Sequence, residues 1–275
     1  MTWARIRLSD GHTAPGIAFG SATRRSTGAT SKSVTHILTA LKNGFVHLDT
    51  AQQYGNEGDV GEAIRQSGIP REQLFITTKW SEGDMSPRQA CEESLKQLGT
   101  DYIDLYVIHH TWTAKPDIKT AWRAMEELQQ EGLVRSIGLS AFGYDEVKAI
   151  LEDCKVKPAV NMIMLHPSVL SETQPLLDLM AENDIVPGGY SSLKPLWDDG
   201  AGSTVRETAS DIAQALHRSP EHVLLRWCAA KGAIVYTSST SLERIESLIP
   251  AGDVEISSEH VKKLDEAGRG HDKSL

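Results

Sequence analysis

Cysteine is scarce in this chain, with three among 275 residues. Cys91, Cys154 and Cys228 are widely spaced and odd in number, which excludes a disulfide framework and a cysteine metal cluster. A reduced, cytoplasmic setting is expected. Positive charge is also in deficit: 28 Lys plus Arg stand against 37 Asp plus Glu, a net charge of -9. That balance repels a phosphate backbone and argues against nucleic-acid partners, while leaving room for a local basic pocket. No apolar run approaches the roughly 20 residues needed to cross a bilayer. The opening Met1-Thr2-Trp3-Ala4-Arg5-Ile6-Arg7 lacks the apolar stretch of a secretory signal. No membrane partner is expected. Composition shifts and flexible linkers are missing as well, so residues 1 to 275 are expected to form a single domain. The helices show no long apolar outer stripe, and a monomer is expected.

What is present is a regular alternation. Residues 3 to 17 read as a small β-hairpin turning at Asp10-Gly11. Short apolar runs then begin at Ile17, Phe45, Leu74, Ile103, Val134, Ala159, Ile185 and Ala233. Stretches of helical spacing separate them: 31 to 43, 59 to 66, 87 to 98, 117 to 130, 143 to 152, 172 to 183, 205 to 217 and 220 to 230. Two more helices, 241 to 249 and 258 to 266, follow the last run. Eight buried strands with helical connections predict an α/β fold of the (β/α)8 TIM-barrel type with an N-terminal β-hairpin. A doubly wound open sheet is the alternative, because periodicity cannot see closure.

In a barrel the strand C-termini share one rim, where chemistry is placed. Asp49 ends the second run, Lys79 the third and His109 the fourth, and Tyr54 follows Asp49 by five residues. Each alone has a plain explanation: a turn cap, packing, a solvated amine, a solvated His109-His110 pair. Together, at neighbouring strand ends about 4.8 Å apart, they can converge. A free phenol titrates near 10 and is a reluctant acid. A nearby ammonium favours its anion. Lys79 can supply that charge, Asp49 can hold it, and His109 can bond the substrate oxygen or join the proton path. The set suits carbonyl reduction, in which a proton must reach oxygen as hydride reaches carbon.

The segment Gly44-Phe45-Val46-His47-Leu48-Asp49-Thr50-Ala51-Gln52-Gln53-Tyr54-Gly55-Asn56-Glu57 resembles the first signature of the aldo-keto reductase family. Ile76-Thr77-Thr78-Lys79-Trp80 resembles the strand carrying the family lysine, and Asp101 to His109 the segment carrying its histidine. The spacings agree, and the match spans nearly the whole chain. The resemblance implies a TIM barrel that reduces aldehydes and ketones with NAD(P)H, uses no metal, and runs alcohol oxidation in reverse. It implies Tyr54 as general acid within a tetrad completed by Asp49, Lys79 and His109. It also implies an extended cofactor across the barrel mouth, so a missing GxGxxG fingerprint is consistent with it.

The cofactor side departs from the family pattern. Ser140-Ala141 stands where Ser-Asn is usual, and Asn161-Met162 where Asn-Gln is usual, so two carboxamide-binding amides are gone. Ser140, Asn161 and Met162 are the residues carried over. Tyr190 matches the aromatic that stacks on nicotinamide, and Ser191 and Leu193 match residues flanking the pyrophosphate. Ser238 replaces a usual Lys, Ser239 and Arg244 are kept, and Ser247-Leu248 replaces an adenine-contacting Glu-Asn pair. Arg244 can fork onto a 2'-phosphate, so NADPH/NADP+ is favoured and NADH/NAD+ stays open. In the substrate pocket Ala22 and His110 replace large aromatics, with Trp80, Trp112 and Trp197 left to rebuild the wall. The tail from Gly268 to Leu275 is short and polar. An open pocket for a small-molecule carbonyl or alcohol is expected. The other readings are a dehydrogenase working oxidatively and a dinucleotide-binding regulatory barrel with little turnover.

Overall fold

The short runs rich in Ile, Val, Leu and Phe are buried on both faces, which suits parallel strands wrapped by helices. In the computed structural model, which describes residues 3–22, 30–198 and 202–269, each of them becomes a barrel strand. A hairpin comes first, with β1 (Arg5–Arg7) antiparallel to β2 (Thr13–Pro15). Gly11, at φ 91°, makes its turn in a conformation that side chains resist. Then follow β3 (Ile17–Gly20), β4 (His47–Asp49), β5 (Phe75–Trp80), β6 (Ile103–Ile108), β7 (Val134–Ser140), β8 (Val160–Met164), β9 (Val186–Tyr190) and β10 (Ile234–Thr237). All neighbours are parallel, and β10 pairs with both β9 and β3. The sheet is therefore a closed barrel, and the open-sheet alternative falls away.

The helices are α1 (Thr30–Lys42), α2 (Glu57–Ser67), α3 (Pro87–Leu98), α4 (Ile118–Gln130), α5 (Tyr144–Leu151), α6 (Leu170–Glu182), α7 (Ser203–Leu216), α8 (Pro220–Ala230), α9 (Leu242–Leu248) and α10 (Ser258–Arg269). Local chemistry fixes their ends. Ser86 and Gln89 form a capping box at α3, Pro87 fills its first turn, and Gly99 ends it in the left-handed region. Asp117 caps α4 by accepting from the Thr120 amide. Both α7 and α8 lie between β9 and β10, so one rim loop is much longer than the others. The polar tail beyond Arg269 falls outside the described residues.

Strand periodicity of two divides the core. One cluster fills the barrel interior: Ala18, Leu105, Val107, Val160, Met162, Ile234 and Tyr236 pack together, and Leu8 of the hairpin joins them. The alternate residues, including Phe19, Ile76, Trp80, Tyr106 and Ile163, form a larger cluster with the helices. Among the described residues no helix is long and apolar enough to cross a membrane.

Candidate active site

The register sets the first contact. Asp49 of β4 lies opposite Thr77 of β5, and Lys79 shares the inward face of Thr77 two residues further up. The long lysine side chain reaches back. Its Nζ donates to Asp49 Oδ1 at 2.6 Å and to the Thr50 carbonyl at 2.7 Å. Both side chains are buried. A pair withdrawn this far from water seldom adds net stability, so its place at the barrel mouth points to chemistry.

Tyr54 is held by a short loop. Gln52–Tyr54 form one 3-10 turn, closed by Gly55 in the left-handed region at φ 65°. Asn56 pins the loop to the barrel: its Oδ1 accepts from Thr50 Oγ1 at 3.1 Å and its amide donates to the Ser21 carbonyl at 3.0 Å. This brings the Tyr54 ring over Lys79, whose Nζ is 4.9 Å from the ring centroid. His109 follows β6, and its ring meets Tyr54 edge-on at 5.5 Å between centroids. Four side chains from two strands and two rim loops thus surround one point.

Their charges are set by competition. Burial opposes the ammonium of Lys79, but the Asp49 carboxylate and Tyr54 outweigh it and hold the amine above the ordinary lysine range. His109 is the reverse case. Burial, then Lys79 and His110, push its pKa down to about 2, so the imidazole is neutral at any working pH. The arrangement offers a phenol beside a fixed cation and a neutral imidazole.

From this centre a groove of about 1550 Å³ runs across the mouth. Asp49, Tyr54, Lys79 and His109 line it, together with Ala22 and His110. Ser140, Met162, Tyr190, Ser191 and Leu193 also line it, as do Ser238, Ser239 and Arg244, and Ser238 comes near Asp49: a Cβ on Gly20 would lie 3.6 Å from Ser238 Cβ and 3.8 Å from Asp49 Oδ2. Ala141 (φ 58°) and Ser191 (φ 58°) both hold left-handed backbone beside the groove, a strain that non-glycine residues keep mainly at functional positions. The Ser239 hydroxyl is partly engaged, accepting from the Ser241 amide at 3.0 Å. Arg244 is exposed, and its guanidinium makes no ion pair with another described residue.

Three of the expected site residues are not in the groove wall. Trp80 is 1% exposed, and its indole donates to the carbonyls of Glu82 and Met85. It follows inward-facing Lys79, so the pleat turns it to the helix layer. Asn161 is 0% exposed, and its amide donates to the Phe142 carbonyl at 2.9 Å. Its neighbour Met162 is the inward residue. Trp112 is 68% exposed and reaches the site only through its stack on His110, 3.9 Å between centroids. Trp197 does line the groove. Sequence reasoning missed the wall supplied by the start of α8 (Ser219, Glu221 and His222), although Ser219-Pro220 is a legible helix start. It also missed Ser81, whose Oγ lies 2.6 Å from His109 Nδ1.

The chain is similar to known proteins. Residues 16–269 match the model of the "Aldo/keto reductase family". An NAD/NADP-dependent indole-3-acetaldehyde reductase of Schizosaccharomyces pombe is 34% identical, over 87% of this chain and 85% of its own. Methylglyoxal reductase DkgA of Escherichia coli is 33% identical, over 96% of this chain and 94% of its own. The crystal structure of an aldo/keto reductase from Brucella melitensis superposes with a TM-score of 0.85 at 32% identity, covering 97% of this chain and all of that one. The sequence motifs, the closed barrel and these relatives agree: this chain is a member of the aldo/keto reductase family.

Proposed function

We propose that this enzyme reduces aldehydes and ketones to alcohols with NADPH in preference to NADH, and that Tyr54 delivers the proton. The observation that carries the reading is the position of Tyr54 over the Lys79–Asp49 pair in the wall of a large groove. The groove suits an extended dinucleotide. Its volume, about 1550 Å³, exceeds the ~300–1,000 Å³ of pockets for drug-sized ligands, leaving room for a second small molecule. Tyr190, Ser140, Met162, Ser191 and Leu193 supply wall for it, and Arg244, Ser238 and Ser239 line the same groove.

A reduced nicotinamide bound there supplies the hydride. The side chains of the tetrad manage the proton. Tyr54 gives its hydroxyl proton to the carbonyl oxygen as negative charge builds on it. Lys79 stabilises the phenolate that remains, and Asp49 keeps the ammonium charged and in place. His109 is neutral, so it acts as a hydrogen-bond partner of that oxygen. With Ala22 and His110 in place of bulky aromatics, the mouth admits polar and larger carbonyl compounds. The relatives named for indole-3-acetaldehyde and for methylglyoxal, one bulky and one small, support such breadth.

Arg244 tests the cofactor preference. Its exposed guanidinium has no anion to bind among the described residues, and a 2'-phosphate would give it one. Titration with NADPH and NADH is expected to show Arg244→Ala weakening NADPH by about tenfold or more, a change of roughly 1.4 kcal/mol, with NADH little affected. Equal losses for the two cofactors would count against a 2'-phosphate role. Tight binding of both with no turnover of any aldehyde would favour a regulatory barrel.

A further inference from the structure

We infer that Ser81 is a positioning residue that fixes the tautomer of His109 and so keeps the hydrogen on the ring nitrogen left to meet the substrate oxygen. The inference rests on the proposed reductase reading and concerns a residue outside the tetrad. Ser81 directly follows β5. Its backbone is clamped: its amide donates to Gln52 Oε1 at 3.1 Å, and its carbonyl accepts from Thr113 Oγ1 at 3.3 Å. The hydroxyl therefore has little freedom of position.

That hydroxyl has one proton and two acceptors in reach, His109 Nδ1 at 2.6 Å and the Lys79 carbonyl at 3.3 Å. The proton belongs in the short contact. Were Nδ1 the donor, its N–H···O distance would fall below the usual range of about 2.7–3.2 Å, and the hydroxyl would be left with the long contact. Ser81 thus donates to Nδ1. A neutral imidazole must then carry its hydrogen on Nε2. The ring is wedged, stacked on His110 at 4.1 Å and edge-on to Tyr54 at 5.5 Å, so it cannot readily turn over to exchange its nitrogens. The result is an N–H donor available to the carbonyl oxygen. The other tautomer would present a lone pair to an oxygen gaining negative charge.

The test is 15N NMR of the full-length enzyme with labelled histidine, the His109 signals being assigned by their loss in His109→Gln. Wild type is expected to show Nδ1 unprotonated and Nε2 protonated. Ser81→Ala is expected to populate the Nδ1–H form and to lower kcat by about tenfold, the effect of one hydrogen bond, with KM and NADPH affinity little changed. Ser81→Thr restores both the spectrum and kcat. A wild-type ring protonated at Nδ1 would overturn the inference, as would a Ser81→Ala enzyme with unaltered spectrum and kcat. The wild-type spectrum is readable without turnover, so a failure of the reductase reading appears separately, as absent carbonyl reduction.

Discussion

Single residues show both what the chain declares and what it conceals. Asp49, Tyr54, Lys79 and His109 were legible because a charged or aromatic side chain at the end of an apolar run stands out. The outward sense of Trp80 and Asn161 was missed, although the pleat carries it. Lys79 facing inward sends Trp80 outward, and the same alternation separates Met162 from Asn161. Backbone strain was hidden. Ala141 stands where the family resemblance leads one to expect Asn, a residue that tolerates left-handed backbone, and it keeps that conformation at φ 58°. Ala141→Gly should therefore raise stability by roughly 0.5–1 kcal/mol, the left-handed strain removed less the entropy glycine adds to the unfolded chain. Urea denaturation measures it, and a loss of stability would mean that the alanine methyl makes contacts worth more than the strain.

At the scale of elements, every strand and helix of the barrel was readable from hydrophobic spacing, and the departures lay at boundaries. The run at Phe45 gives a strand only from His47, because the Phe45 amide returns to the Ala40 carbonyl to finish the α1 turn. The 3-10 turn that holds Tyr54 carries no periodic signal, since its partners, Ser21, Thr50 and Asn56, are set by tertiary contacts. Close packing between elements was equally invisible. A Cβ on Gly189 of β9 would lie 2.3 Å from Cys228 Sγ of α8, so the helix seats on the strand at a point that has no side chain. Gly189→Ala should cost about 1–3 kcal/mol or more through overpacking, while Cys228→Ala alone should cost about 1 kcal/mol for a small buried group. In the double variant the clash is gone, and thermal or urea unfolding should show a penalty smaller than the sum of the two. Strict additivity would contradict the contact as the cause.

For the whole molecule, strand repetition could name the class but not the closure, which depends on β10 pairing with both β9 and β3. Closure matters because it gathers the strand ends on one rim, and the parallel register places Lys79 just above Asp49. The groove proposed for the cofactor is likewise a property of the assembled barrel, built from rim loops far apart in sequence, with the long β9–β10 connection adding the α8 wall. An acidic chain of net charge -9 keeps Arg244 exposed in that groove, with no ion pair to another described residue. Across these scales we propose one role for the barrel, to hold one phenol over one buried ammonium beside a dinucleotide. Tyr54→Phe measures it most directly, with NADPH binding followed by fluorescence and carbonyl reduction followed by nicotinamide absorbance. Unchanged NADPH affinity with turnover reduced by about 10²-fold or more, the range of general acid catalysis, is the predicted result. Turnover at the wild-type rate in Tyr54→Phe would contradict it.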